Sequence, residues 1–195
     1  PMSLIISPLQ QLMAKDKDAE CRKLYNTIQR NAERILQLVN QLMDIRKIDK
    51  GQMSLIFKKA EIVSFTRNLL ETFEQQTRIK KLDLKFHTSA PEIEMWIDPK
   101  NFDKIILNLL SNACKFTPEN GQVEISLNTG EDTSLPPNAP LRRYVELTVT
   151  DSGIGIASTE REHIFERFYQ IRNSQNNSNV GTGIGLHLTH SLVEV

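Results

Sequence analysis

The chain has 195 residues and a mass of 22.3 kDa, enough for one domain of ordinary size plus an additional element. Hydrophobic residues make up 39% and charged residues 25%, the balance of a soluble globular protein rather than a disordered or fibrous one. The 24 basic side chains cancel the 24 acidic ones, which argues against a nucleic-acid binder working by long-range attraction to phosphates but leaves room for a small anionic ligand.

In chain order, Ile5, Leu9 and Leu12 step by 4 and 3, and Pro8 inside that segment predicts a kink or weak point in a first helix. After the polar Lys15-Asp16-Lys17-Asp18, the residues Leu24, Ile28, Asn31, Ile35, Leu38, Leu42 and Ile45 repeat the step as a heptad seam with one polar member. Two such helices joined by a short connection predict an antiparallel hairpin. Its seam is covered either by a second copy, giving a four-helix bundle, or by the rest of its own chain. Gly51 closes this region, so the expected division is a hairpin over 1–50 and a second domain over 51–195.

Met53 to Phe57, Leu82 to His87 and Ile93 to Ile97 read as strands, with an amphipathic helix carrying Ile62, Phe65, Leu69 and Phe73 between the first two. Asp98-Pro99 opens a helix of about 17 residues with Asp98 as N-cap and Pro99 at the first helical position. It ends near Thr117-Pro118. Its apolar side is read as Phe102, Ile105, Leu109 and Ala113. Val123 to Leu127 and Tyr144 to Val149 alternate as paired strands around a solvated loop, Thr129 to Pro140. Residues 170–180 carry no apolar period and read as a mobile loop, followed by an apolar helix from Leu186 to Val195. The fold class that follows is α+β: a helical hairpin, then a mixed sheet packed on helices.

Five of the eight glycines fall in two clusters, Gly153/Gly155 directly after a strand and Gly181/Gly183/Gly185 at the opening of a helix. Such glycines let a flat or anionic ligand approach the backbone, and a helix N-terminus offers free N–H groups to phosphate. Neither cluster has the dinucleotide fingerprint or the Gly-Lys-Ser/Thr ending of a Walker A loop. On the helix from Pro99, Asn108, Asn112 and Lys115 lie at i, i+4 and i+7, within about 60° of arc. They could be a solvated face. Two asparagines on one helix face are unusual, however, and an amide oxygen is a suitable ligand for Mg²⁺.

Together these segments resemble the catalytic core of sensor histidine kinases of the GHKL ATPase superfamily, in the style of large hybrid sensors. Asn108-Leu-Leu-Ser-Asn112-Ala-Cys-Lys115-Phe116-Thr117-Pro118 is similar to the N box, and Asp151-Ser-Gly153-Ile-Gly155-Ile to the first glycine box. Ile164-Phe165-Glu166-Arg167-Phe168-Tyr169 is similar to the F box and Gly181-Thr-Gly183-Ile-Gly185-Leu186 to the second glycine box. The resemblance implies ATP and Mg²⁺ as cofactors and a GHKL-type α/β sandwich. Asp151 would accept a hydrogen bond from the adenine amino group, with Gly153 and Gly155 giving the purine room. Asn112 would hold Mg²⁺, with Asn108 and Lys115 beside the phosphates. Gly181, Gly183, Gly185 and Leu186 would line the phosphate site, residues 170–180 would form its lid, and Phe165 and Phe168 would anchor the lid's base. On their own, those two phenylalanines also read as plain core aromatics.

The family's hydrolysing members typically carry Glu where this chain has Asn108. An amide is no base at neutral pH, so the resemblance implies phosphotransfer to a histidine, thence to an aspartate of a response-regulator receiver domain, with slow hydrolysis. The acceptor histidine of the family's His-Glu-x-Arg-Thr-Pro run would lie outside this chain, with Pro1 as the last residue of that run. Two strands that usually follow the last helix are also expected to be missing. His187 and His190, at i and i+3, lack a third ligand nearby and read as surface or groove histidines. Further expectations are a homodimer through the hairpin, a cytoplasmic location with a membrane-anchored parent, and neither nucleic-acid nor membrane contact by this segment. The competing readings are a homodimerising scaffold with a vestigial pocket and an ATP-driven clamp of the gyrase kind.

Overall fold

The computed structural model describes residues 2–16, 18–135, 142–171 and 181–195. Helices α1 (Ser3–Lys15) and α2 (Ala19–Asp49) form the hairpin, and α1 runs unbroken through Pro8. Asp18 caps α2 by accepting from the Glu20 amide at 3.0 Å, and the Tyr25 hydroxyl donates to Asp16 at 2.8 Å, fastening the turn. Leu9 and Ala32 are the buried residues where α1 packs on α2. Ala32 is not on the heptad seam. Along the seam itself Leu24, Ile28, Ile35 and Leu42 are exposed, and only Ile45, near the end of α2, is buried. Both expected coverings are thus divided along one helix: the last turns pack on the chain's own second half, and the rest of the seam stays open.

The second half contains β1 (Lys58–Glu61), α3 (Ile62–Glu71), α4 (Glu74–Ile79), β2 (Asp83–Thr88) and β3 (Glu94–Ile97). It continues with α5 (Pro99–Phe116), β4 (Gln122–Glu131), β5 (Arg143–Asp151) and α6 (Gly185–Glu194). Strands β2, β4 and β5 make a mixed sheet, β2 parallel to β4 and β4 antiparallel to β5, while β1 and β3 pair as a separate antiparallel ribbon. The strand expected over Met53 to Phe57 is displaced: pairing begins at Lys58, opposite Ile97. Upstream, the Ile56 amide donates to the Asp98 carboxylate at 2.8 Å, so a side chain takes the hydrogen bond a ladder would have used. The loop expected over Thr129 to Pro140 starts later, because β4 reaches Glu131; its residues 136–140, like residues 172–180 of the second expected loop, lie outside the described residues.

Inward-facing Val123, Ile125 and Leu127 of β4 are fully buried. They meet two apolar clusters, one built with α5 and the end of α3, the other with Ile62, Val63, Ile93 and Ile97. Here α5 corrects the expected apolar side. Its buried stripe is Ile106, Leu110, Ala113 and Cys114, whereas Ile105 turns toward a third cluster with Ile45 of α2, Ile184 just before α6, and Leu188 and Leu192 of α6. The helix is apolar on two sides because it is sandwiched between the sheet and the α2–α6 pair. Its polar face is left in the gap.

Candidate functional site

The start and stop of α5 are set by local chemistry. Asp98 accepts from the amides of Lys100 at 3.0 Å and Asn101 at 3.1 Å, with Pro99 behind it in the first turn. Burial pushes the Asp98 carboxyl up, and the amides of Ile56, Asn101 and Lys100 outweigh it, leaving the group below its usual range. At the other end Lys80 reaches across to cap the helix, donating to the carbonyls of Cys114 at 2.7 Å and Lys115 at 3.0 Å. The second glycine cluster lies against the polar face between these two ends, and the first approaches the C-terminal end.

Lys115 sits at Gly181, where a methyl group in place of the glycine hydrogen would come 3.0 Å from the Lys115 ammonium. Asn108, two turns back, sits at Gly185, where the same methyl would collide with its amide oxygen. The 181–185 segment therefore runs antiparallel to α5 over the roughly 10 Å separating those side chains. Asn112 lies between them on the same face, half-buried. Beyond Lys115, the Phe116 carbonyl would be 2.8 Å from a methyl on Gly153, so the first cluster closes on the helix end. Asp151, the last residue of β5, accepts from the Gly153 amide at 2.8 Å through one oxygen. Gly155 stands in open space with φ +69°.

Gly185 is the first residue of α6, and Leu186 follows it, half-buried. Unpaired amides at this end are donors for an anion. The charge nearby has the matching sign: Lys115 is held below the usual lysine range by burial and by the positive Arg34, and its ammonium lies 4.6 Å from the Phe116 ring centre.

Phe165 and Phe168 do not belong to a core, being 41% and 62% exposed. What holds their segment is backbone: the Phe168 amide donates to the Gly183 carbonyl at 2.8 Å, and the Phe165 carbonyl meets His187 Nδ1 at 2.9 Å. Gly183 is where this contact is tightest, 2.6 Å from a would-be methyl to the Phe168 carbonyl carbon. His187 also accepts from Arg167 at 2.9 Å, and His190 pairs with Glu194 at 3.2 Å. Among the described residues, no group of three His, Cys, Asp or Glu side chains is placed to hold a metal ion. A cavity of about 130 Å³ between the end of α2, Arg167, Phe168 and Ile184 touches none of Asn108, Asn112, Lys115 or Asp151.

Three contributors escaped the sequence reading. Thr189 accepts from the Asn108 amide at 2.6 Å, Lys80 caps α5, and Arg167 pairs with Asp49 of α2 at 2.5 Å. Thr189 is the one with a sequence signal, a polar residue on the apolar face of α6 one turn after Gly185. Lys80 is one of three basic residues between 78 and 81, and Arg167 stood in the F-box run with no partner assigned to it.

Residues 97–195, just over half of the chain, match the family described as histidine kinase-, DNA gyrase B- and HSP90-like ATPases. The whole chain is 34% identical to part of the sensor histidine kinase TmoS of Ectopseudomonas mendocina, covering 19% of that protein. It spans a fifth or less of the first curated relatives it matches. In fold it is similar to full-length ShkA, solved with AMPPNP, at a TM-score of 0.77 and 23% identity over 100% of this chain and 38% of that one. It is also similar to histidine kinase ThkA in complex with the response regulator TrrA, at 0.54 and 23% over 87% of this chain and 47% of that one. Since the matched half holds both glycine clusters and the helix they close upon, the chain belongs to the histidine kinase-, DNA gyrase B- and HSP90-like ATPases.

Proposed function

We propose that this chain is the ATP-binding core of a two-component sensor histidine kinase, whose parent transfers the γ-phosphate of MgATP to a histidine and thence to an aspartate on a response-regulator receiver domain. One observation carries the reading: the 181–185 segment runs antiparallel to the polar face of α5 and ends in the N-terminus of α6. Backbone donors, a lysine and two side-chain amides then face one gap. This donor set suits a triphosphate, and the amide oxygen of Asn112 suits a hard divalent cation. Bound MgATP would supply the transferable phosphoryl group and the cation that neutralises its charge.

The chain's own residues have distinct tasks in this reading. Asp151 uses one carboxylate oxygen for the Gly153 amide, leaving the other to accept from an adenine amino group. Gly153 and Gly155 leave the flat face of a purine unobstructed. Lys115 and the first amides of α6 orient the phosphates. Asn108 cannot take a proton from water at neutral pH, which favours transfer over hydrolysis. Phe165 and Phe168 fix the 165–169 segment beside the second glycine cluster through their backbone bonds to Gly183 and His187.

Residues 1–50 are then the dimerisation and phosphotransfer hairpin and 51–195 the nucleotide-binding domain, with the open seam of α2 joining two copies. The named relatives and the ThkA–TrrA complex support a receiver-domain partner, and they do not favour a scaffold with a vestigial pocket. No helix among the described residues is long and apolar enough to cross a membrane, and the proposed site of action is the cytoplasm. Calorimetric titration with a non-hydrolysable ATP analogue, with and without Mg²⁺, tests the reading. Magnesium-enhanced binding is expected, weakened at least about tenfold in Asp151→Asn, which loses a charge-assisted acceptor. Equal affinity of the two chains would exclude Asp151 from the base pocket.

A further inference from the structure

Helices α5 and α6 meet through one polar joint. Gly185 leaves just enough room for the Asn108 amide, since an added methyl would overlap the amide oxygen and lie 3.2 Å from its nitrogen. One turn along the same face of α6 is Thr189, 7% exposed, and its Oγ1 accepts from Asn108 Nδ2 at 2.6 Å. Two other helical threonines bond back onto their own helix, Thr77 to the Phe73 carbonyl at 3.1 Å and Thr27 to that of Lys23 at 2.9 Å, and the buried Thr66 hydroxyl has no partner. Thr189 instead receives a bond from another helix, 81 residues away in sequence.

That bond anchors the amide, and the donors at the first turn of α6 decide which of its ends faces them. With Nδ2 committed to Thr189, the acceptor Oδ1 lies at Gly185, beside a helix end whose unsatisfied groups are donors. The flipped amide would set its donors against the donors of the helix end, while the Thr189 hydroxyl, which donates as well as accepts, would still be paired. We propose that Thr189 is a positioning residue of the nucleotide site, holding the Asn108 amide with Oδ1 toward the first turn of α6 and so fixing how closely the polar face of α5 meets the phosphate-binding helix end. The role rests on the nucleotide reading above; the hydrogen bond itself does not.

Thr189→Val keeps the volume and removes the acceptor, and Thr189→Ser keeps the acceptor. In the nucleotide-free chain, NMR exchange of the Asn108 side-chain amide protons should be slow in the wild type and Ser variant and fast in the Val variant. Calorimetry with magnesium adenylyl imidodiphosphate should show affinity falling about tenfold in Thr189→Val and restored in Thr189→Ser, as for a buried amide left without its partner. In an Asn108→Ala background, Thr189→Val should cause no further loss, because its effect passes through Asn108. Melting curves identify a variant that fails to fold, and Thr189→Ala, which also lacks the acceptor, then takes the place of Thr189→Val. Fast exchange in the wild type, wild-type affinity in Thr189→Val, or an undiminished loss in the Asn108→Ala background each overturns the proposal. A wild-type chain with a protected amide but no nucleotide affinity overturns the nucleotide reading, and the role of Thr189 in that site with it.

Discussion

Gly183 and Gly155 share a backbone conformation, φ +67° and +69°, yet do different work. Any side chain at either position bears the left-handed penalty of roughly 1–2 kcal/mol. At Gly155 nothing else stands in the way, whereas at Gly183 the Phe168 backbone is already in contact. Gly155→Ala should therefore lower unfolding free energy by about that penalty, and Gly183→Ala by clearly more, as measured by chaotrope titration. The alanine at 183 should also release the 165–169 segment, seen as faster exchange of the Phe168 amide. Equal losses for the two would show that the Phe168 contact gives way without strain. The glycine spacing was plain in the sequence; which glycine is pressed by a neighbour 15 residues away was not, because nothing local marks the approach.

Among the elements, α5 was the most legible, since its Asp98 cap, Pro99 and terminal Thr117-Pro118 all act within a few residues of the helix they bound. The start of α3 was less so. Glu61 caps it, accepting from the amides of Val63 at 2.9 Å and Ser64 at 2.6 Å, and also from Ile93 at 3.0 Å, which ties the helix to the segment entering β3. Burial raises the Glu61 pKa, but the bonds from Ile93, Ser64 and Val63 prevail and bring it from 4.5 to about 2. A carboxyl with a depressed folded pKa stabilises fully above its unfolded value and loses that contribution as pH falls toward its folded one. The stability difference between wild type and Glu61→Gln should thus be constant above about pH 4.5 and shrink between there and about pH 2. Melting temperatures across that range check it, and a pH-independent difference would remove the charge from the account. Strand β1, Lys-Lys-Ala-Glu, was invisible beforehand because its pattern is charged and its pairing with Met95 and Trp96 supplies the reason to be a strand.

Over the whole molecule, the contacts that join the hairpin to the second half gather toward the end of α2. Ile45 enters the α6 cluster, Asp44 pairs with Lys104 at 2.7 Å, and Asp49 pairs with Arg167 at 2.5 Å. Farther up α2, Leu24, Ile28 and Ile35 remain 64%, 47% and 49% exposed, a stripe at heptad spacing that water disfavours. Burying such side chains is worth roughly 1.5–3 kcal/mol each, enough in sum to hold two copies together. Sedimentation should show a dimer, and Ile28→Asp with Ile35→Asp should give a monomer whose affinity for the ATP analogue is unchanged. A wild-type monomer at high concentration would return the seam to the status of a solvated face.

The sequence by itself determined what depends on neighbours within a turn or two: the heptad steps, the Asp98 cap, the alternation of β4 and β5, and the glycine and asparagine spacings that carry the family resemblance. Only the tertiary structure decided what joins distant segments. The 181–185 run lies antiparallel to α5, Thr189 bonds to Asn108 across 81 residues, and Arg167 reaches Asp49 across 118. Periodicity states that a helix has an apolar side but not how many partners will cover it. That is why Ile105, half-buried, and Ile106, fully buried, pack on different layers though adjacent in sequence, and why the polar face of the helix is left for the site.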